Sequence, residues 1–191
     1  MSRPKQGQGT PARERMEEAF WQLLAEKPYR EMTIAAISRL AKVNHNTFYY
    51  YFDSLDDMAI KLLDSNMLID LPARIFTAFT AGQLEANLVT SDPEVLRRFK
   101  RISLLAGPHG ASWQKDILKQ RVTSLWLQTL GLSEAELMDK DKALLTFIIS
   151  GLLAMVGEYG QNGDPALFGH IIQSDLGHGV LATVTKISAR S

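Results

Sequence analysis

The stretch from Thr33 to Asp53, TIAAISRLAKVNHNTFYYYFD, constrains the fold more than any other part of the chain. It reads as two short helices joined by a tight turn. Thr33 can cap the first helix, because its side-chain oxygen can accept an orphan N–H of the first turn. Ile34, Ile37 and Ala41 then recur at helical spacing and turn one side inward. Asn44 is a good cap for the second helix, and Val43 before it is placed to pack on Phe48 as a hydrophobic staple. Phe48, Tyr51 and Phe52 stand at i, i+3 and i+4 and make one apolar stripe, which leaves His45, Asn46, Tyr49 and Tyr50 on the other side. A short surface helix ordinarily shows Lys and Glu to solvent. This one shows hydrogen-bonding and aromatic groups with no acid among them, the character expected of a helix set into a DNA groove.

The chain has 191 residues, enough for one good core or for a small domain fused to a larger one. Its formal net charge is zero, so DNA binding has to come from a local patch and specificity from base edges. There is no cysteine, which excludes disulfides and thiol ligands and fits an intracellular, cytoplasmic location. The N-terminal MSRPKQGQGTPARER is polar and does not read as a signal peptide. The longest apolar run, Leu144 to Val156, is shorter than the ~20 residues of a membrane span and contains Thr146 and Ser150. The expectation is a soluble protein with no membrane partner.

In a helix-turn-helix the second helix enters the major groove while the first crosses the backbone. From Arg13 to Leu63 the chain resembles the TetR family of transcriptional regulators. The likeness is carried by ARERMEEAFWQLLAEKPYREMTIAAISRLAKVNHNTFYYYFDSLDDM, and most specifically by NHNTFYYYF following MTIAAIS. The resemblance implies an all-α fold. Residues 1–53 would form a three-helix DNA-binding headpiece with an N-terminal tail, and residues 54–191 a larger helical domain that binds an effector and dimerises. It also implies a double-stranded DNA operator as partner. The expected contacts are Thr33, Asn44, His45, Asn46, Thr47, Tyr49 and Tyr50. In the family, residues matching His45, Asn46 and Tyr49 approach bases, while those matching Thr47 and Tyr50 often hold the DNA backbone; Thr33 and Thr47 are expected on phosphates. The chain departs from the family just after the aromatic run. A phosphate-touching lysine is usual there, and this sequence has Asp53, Leu55, Asp56 and Asp57.

Taken in order, residues Met1 to Gly9 read as a disordered tail, with Arg3 and Lys5 able to reach DNA as basic arms do. Thr10–Pro11 supplies a cap and a first helical residue, Met16, Ala19, Phe20, Leu23 and Leu24 form an amphipathic stripe, and Pro28 ends the helix. Ser54 with Asp57 caps a fourth helix expected to run to Leu71, with Pro72 as its stop. From Pro72 onward every signal is helical. Ile75, Phe76 and Phe79 share a face. Ser91 with Glu94 is a capping box for a helix through Phe99 and Ile102 that Gly107–Pro108 ends. Trp113 to Trp126 lie on a helix ending at Gly131, and Ser133 with Glu136 caps the helix bearing Leu144 to Val156. Gly160 to Pro165 is a loop, and a last helix spans Ala166 to Lys186.

Several clusters admit two readings. Arg97, Arg98, Lys100 and Arg101 are either a solvated helix face or a second nucleic-acid patch. The histidines His45, His109, His170 and His178 lack metal-ligand spacing, so no metal or other cofactor is expected. The turn at His109 terminates a helix, and its ring could also reach a ligand. Phe99, Trp113, Trp126, Phe147 and Tyr159 are core residues that could line a cavity, since pockets between helices are apolar and aromatic-lined. With His109 they form the candidate effector-binding set. At Gly177 and Gly179 either the last helix breaks, or close backbone approach repays the loss of helix propensity. The run LLTFIISGLLAMV is apolar all round, so one side needs cover; a second copy packing through the helix of Ile171, Ile172, Val180 and Val184 would make a homodimer. No catalytic motif is present, and an enzyme is not expected. The function expected is a ligand-responsive regulator, a repressor released from a near-palindromic operator by a small apolar effector. The alternative is a protein-binding co-regulator that kept the fold and lost DNA recognition.

Overall fold

A computed structural model describes residues 11–85, 87, 91–160 and 166–189, and within them every regular element is helical. The tail Met1 to Gly9 lies outside the described residues, as does the loop expected after Gly160. Helix α1 (Ala12–Glu26) begins with Pro11 at the cap position rather than at the first helical residue; the fixed φ of proline suits either place. It buries Met16, Ala19, Phe20, Trp21, Leu23 and Leu24 and stops at Lys27, which the following Pro28 holds in extended backbone. A 3₁₀ turn at Tyr29–Glu31 leads to α2 (Ile34–Leu40) and α3 (His45–Tyr51).

The Ser54 hydroxyl caps α4 (Leu55–Asn66), accepting from the Asp57 N–H at 3.0 Å. This helix ends at Asn66, short of the expected Leu71, and Pro72 opens the next helix, α5 (Leu71–Thr80), instead of stopping the previous one. The first turn of a helix needs no intrahelical N–H bond, so proline is at home there. In α6 (Pro93–Ala106) the cap is Asp92, not Ser91: its Oδ1 accepts from the Glu94 N–H at 2.8 Å and the Val95 N–H at 3.4 Å. Pro93 as first helical residue sets that register and leaves the Glu94 carboxylate to Arg97 and Arg98.

Helix α7 (Ser112–Leu130) closes on Gly131 at φ 69°, and the Leu132 N–H reaches back to the Leu127 carbonyl at 2.9 Å. The Ser133–Glu136 pair caps a single 3₁₀ turn, Glu134–Glu136, rather than the long helix. That helix, α8 (Asp139–Tyr159), starts beyond it and has 21 residues, longer than the apolar run alone suggested. It is the one described helix long and apolar enough to cross a membrane. The expected single terminal helix is two, α9 (Ala166–Gln173) and α10 (Asp175–Ser188), broken at Ser174, whose Oγ accepts from the Gly177 N–H at 3.3 Å. Both readings of Gly177 hold together: the chain breaks just before it, and a Cβ there would stand 2.2 Å from the Ile172 carbonyl oxygen.

One hydrophobic cluster runs through the headpiece and on into the C-terminal helices, holding Phe20, Phe48, Met58, Leu62, Leu105 and Leu118 at 1% exposure or less. A second joins Trp126, Leu145, Ile149, Val184 and Ile187 from α7, α8 and α10. Helix α8 reaches α6 closely through Gly157, where a Cβ would meet the Ala106 carbonyl oxygen at 2.4 Å.

Candidate functional site

The helix-turn-helix is fixed by local bonds that the sequence dictates. Thr33 Oγ1 accepts from the Ala36 N–H at 3.1 Å, and Asn44 Oδ1 accepts from the Asn46 N–H at 2.9 Å. Between the helices Lys42 takes the left-handed conformation at φ 53°, so that the Val43 N–H bonds the Ser38 carbonyl at 2.9 Å and satisfies the end of α2. Phe48 and Phe52 anchor α3 in the core at 0% and 1% exposure. Phe48, Tyr49 and Phe52 make ring contacts at 5.4–5.7 Å, and the His45 ring meets the Tyr49 ring edge-on at 5.3 Å.

The opposite face is bare. Tyr50 is 81% exposed and Tyr49 51%; His45, Asn46, Asn44 and Thr33 are exposed, and Thr47 is half-buried. The structure thus brings all seven sequence-derived candidates onto α3 or the two helix starts. Thr33 and Asn44 use acceptor oxygens in capping, which leaves their O–H and amide donors for other partners. Two further residues escaped the sequence reading. Arg39 and Lys42 are exposed at the end of α2 and in the turn, and no ion pair joins either to an acid among the described residues. Their only sequence signal was a basic charge beside the turn.

The acids that follow α3 are absorbed locally. Asp57 Oδ2 accepts from the Asp53 N–H at 3.0 Å and pairs with Lys61 at 2.8 Å, and the Lys61 bond holds its carboxyl below the usual range. Asp56 accepts from the Tyr29 hydroxyl at 2.5 Å. Lys61 Nζ also lies 3.5 Å from the Tyr51 carbonyl and 5.7 Å over the Phe52 ring, which places an ammonium at the end of α3 from one turn farther on.

The α6 basic cluster is paired. Arg97 and Arg98 both meet Glu94 at 2.8 Å, and Arg98 and Arg97 hold that carboxyl below its ordinary range. Arg101 bonds Glu18 of α1 at 2.7 Å and lies 5.4 Å over the Trp21 ring. These contacts describe a solvated face pinned to α1, not an open cationic strip. Among the described residues no group of three His, Asp or Glu is placed to hold a metal ion.

Two apolar cavities lie between the C-terminal helices. The larger, about 300 Å³, is walled by residues including Trp126, Phe147, Leu152, Phe168, Leu176 and Val180. The smaller, about 120 Å³, reaches Met67 and Leu68 at the end of α4, and Phe99. Ile75, Trp126, Leu152 and Phe168 belong to both walls. Of the effector-binding candidates, Phe99, Trp126 and Phe147 are on these walls, and Tyr159 lines a separate niche beside Phe99 and Phe168. His109 and Trp113 are not brought there. His109 Nδ1 stands 2.8 Å from the Leu24 carbonyl, its own carbonyl accepts from the Tyr29 N–H at 2.8 Å, and Trp113 packs edge-on against Tyr29 at 5.6 Å. Both serve the junction with the headpiece. Phe168, Leu152 and Val180 were missed, because an apolar residue on a helix reads the same whether it fills a core or rims a void.

Residues 18–62 match the family described as bacterial regulatory proteins, tetR family, a segment running from the middle of α1 into α4. No curated protein and no solved structure matches the chain. The bare face of α3, its caps and its buried aromatic anchor all lie inside the matched segment, so residues 18–62 form a helix-turn-helix similar to that of bacterial regulatory proteins of the tetR family.

Proposed function

We propose that the protein is a ligand-responsive repressor that binds a near-palindromic operator as a homodimer and is released by a small apolar effector. The observation that carries this reading is the face of α3: exposed His45, Asn46, Tyr49 and Tyr50, free of acids, on a helix anchored by fully buried Phe48 and Phe52. His45, Asn46 and Tyr49 read base edges in the major groove. Thr33, Asn44, Thr47 and Tyr50 hold phosphates, with Arg39 and Lys42 adding charge beside them. On this reading residues 1–53 bind DNA, and residues 54–191 bind the effector and dimerise. The alternative of a co-regulator without DNA recognition rested on acids in place of a lysine. Asp56 and Asp57 being engaged by Tyr29 and Lys61 weakens that ground.

The homodimer is supported by α8. Leu144 and Phe147 remain exposed, as do Gly151 and Ala154, on a helix that buries Leu145, Ile148, Ile149 and Val156 on its other side. Val184 and Ile172 are already buried within the chain, so the partner surface is this α8 stripe together with the outer side of α10 around Leu176 and Gly179. Two-fold symmetry then sets the recognition helices one helical turn of DNA apart, about 34–36 Å or a little more.

Release is geometric. The smaller cavity reaches the end of α4 at Met67 and Leu68, so a ligand there displaces the helix that follows the headpiece. Packed cores move between discrete arrangements, and a shifted α4 changes the separation of the recognition helices. The coupling between ligand and DNA is about 1–3 kcal/mol and acts equally in both directions. Operator DNA selected from a random pool, then titrated by fluorescence anisotropy with and without a bound hydrophobic ligand, tests this. A stoichiometric ligand that leaves operator affinity unchanged contradicts the release mechanism and leaves DNA binding standing.

A further inference from the structure

A polar cleft of about 530 Å³ opens between α1, the end of α4 and α6, and it shares no wall residue with either apolar cavity. Its two long walls carry opposite charge. Glu14, Glu17 and Glu18 line it from α1, and Arg97, Arg98 and Arg101 line it from α6. Each set follows the three- and four-residue spacing that keeps side chains on one helix face. Arg101 spans the cleft to Glu18 at 2.7 Å. One turn nearer the helix starts, Glu14 stands on one wall and Arg97 and Arg98 stand on the other.

The charges on these walls do not balance pair by pair. Glu17 is matched by Arg13 at 2.8 Å and Glu18 by Arg101, but Arg97 and Arg98 share the one carboxylate of Glu94, each at 2.8 Å. Glu14 is in no ion pair among the described residues. A guanidinium is therefore in surplus on the α6 wall and a carboxylate on the α1 wall. At the α4 corner of the cleft Asn66 is 4% exposed. Its Nδ2 donates to the Leu62 carbonyl at 2.8 Å, and its Oδ1 accepts no bond among the described residues.

We infer that this cleft binds a small zwitterion, a molecule carrying both an ammonium and a carboxylate, with the ammonium on Glu14 and the carboxylate on Arg97 and Arg98. A lone anion would satisfy the surplus guanidinium but bring its charge toward three glutamates. A lone cation would meet three arginines in the same way. A ligand with both signs completes both walls. The planar guanidinium fork holds a carboxylate in a bidentate pair, and with two forks present one can turn to the ligand while the other keeps Glu94. Asn66 Oδ1 is a spare acceptor for an ammonium N–H. Single ion pairs at a wet surface are weak, so binding depends on engaging both ends at once. The site involves neither the DNA-reading face, the apolar cavities nor a second copy, so its test does not turn on them.

The test is isothermal titration calorimetry of the full chain at low salt. The probes are 4-aminobutyrate and 6-aminohexanoate, zwitterions of two spans, beside butyrate, hexanoate, butylammonium and hexylammonium, which keep one charged end each. At least one zwitterion should bind one molecule per chain, about fivefold or more tighter than its single-charge relatives. Glu14→Gln and Arg97→Gln, at exposed positions, should keep wild-type helicity by circular dichroism and each weaken that probe by about fivefold or more. Arg98→Gln removes the same surplus charge and should match Arg97→Gln. Glu94→Gln frees both guanidiniums and should tighten the probe. Binding of neither zwitterion overturns the site. A carboxylate or an ammonium that binds alone as tightly as the zwitterion overturns the ligand class. Helical Glu14→Gln, Arg97→Gln and Arg98→Gln variants with wild-type affinity, or a Glu94→Gln variant that binds no more tightly, overturn the assignment of the two walls.

Discussion

The Tyr29 hydroxyl donates to Asp56 Oδ1 at 2.5 Å, tying the 3₁₀ corner after α1 to the first turn of α4. The same residue joins the headpiece to the C-terminal helices. Its ring meets Trp113 edge-on at 5.6 Å, and its backbone N–H donates to the His109 carbonyl at 2.8 Å. Tyr29 thus joins the α6–α7 turn to the corner after α1 and, through Asp56, to the first turn of α4.

Removing the hydroxyl measures the tie. Burial, reinforced by the Asp56 carboxylate, pushes the phenol well above its ordinary range. A pKa raised in the folded state gives stability that is present below the unfolded value of about 10 and is lost as pH rises above it. Tyr29→Phe should cost about 1 kcal/mol at neutral pH, toward the low end for a bond to a charged group because the exposed Asp56 is re-solvated. It should also reduce the stability lost above about pH 10. Urea denaturation of wild type and variant at the two pH values checks both.

The turn of the helix-turn-helix carries its own prediction. Asn44→Ala removes the acceptor for the Asn46 N–H and should cost about 1 kcal/mol, whereas Asn44→Gly should cost only a few tenths. Lys42 is the one non-glycine residue at positive φ among those described, and Lys42→Gly should stabilise by up to about 1 kcal/mol as the Cβ strain disappears. Thermal unfolding orders the three variants.

The headpiece was legible in the sequence because its signals are local. The cap at Thr33, the cap at Asn44 and the alternation of Phe48, Tyr51 and Phe52 with exposed polar residues all act within one turn of helix. The C-terminal boundaries were less so. Pro72 reads equally as a stop or a start, and the choice depends on what Met67 and Leu68 pack against. Ser91 and Asp92 both offer a cap, and Pro93 decides between them by fixing which residue comes first. Ser174 is the cap of α10, a local signal that the apolar residues on both sides of it masked, and Gly177 beside the break leaves no room for a Cβ against the Ile171 and Ile172 carbonyls. The cavity walls are long-range properties, so aromatic content pointed to Phe99, Trp126 and Phe147 while misplacing His109 and Trp113.

Gly157 offers a test of how α8 meets α6. Gly157→Ala places a methyl 2.4 Å from the Ala106 carbonyl oxygen, and backbone has to shift to admit it. The expected cost is about 1–3 kcal/mol, against the gain in helix propensity that alanine ordinarily brings. A melting temperature equal to or above that of the wild type would show that the two helices can separate freely here.

Filling the larger cavity should block the ligand without harming the fold. Val180 is on its wall, and Val180→Trp occupies the void. The variant should keep its helicity and bind N-phenyl-1-naphthylamine at least tenfold more weakly, about 1.4 kcal/mol or more. Trp126 is the native tryptophan on the wall, so Trp126→Phe should remove most of the tryptophan signal that responds to the probe, while Trp113→Phe leaves it.

The central claim is that the exposed face of α3 reads DNA sequence. Fluorescence anisotropy against an operator selected from a random pool tests it most directly, with wild type beside Asn46→Ala, Tyr49→Ala and Thr47→Ala. Asn46→Ala and Tyr49→Ala should each lose about 1–3 kcal/mol of operator affinity and relax the preference at one base position, while Thr47→Ala should weaken all sequences alike. Folded Asn46→Ala and Tyr49→Ala variants that bind the selected operator as tightly and as selectively as the wild type would contradict the account.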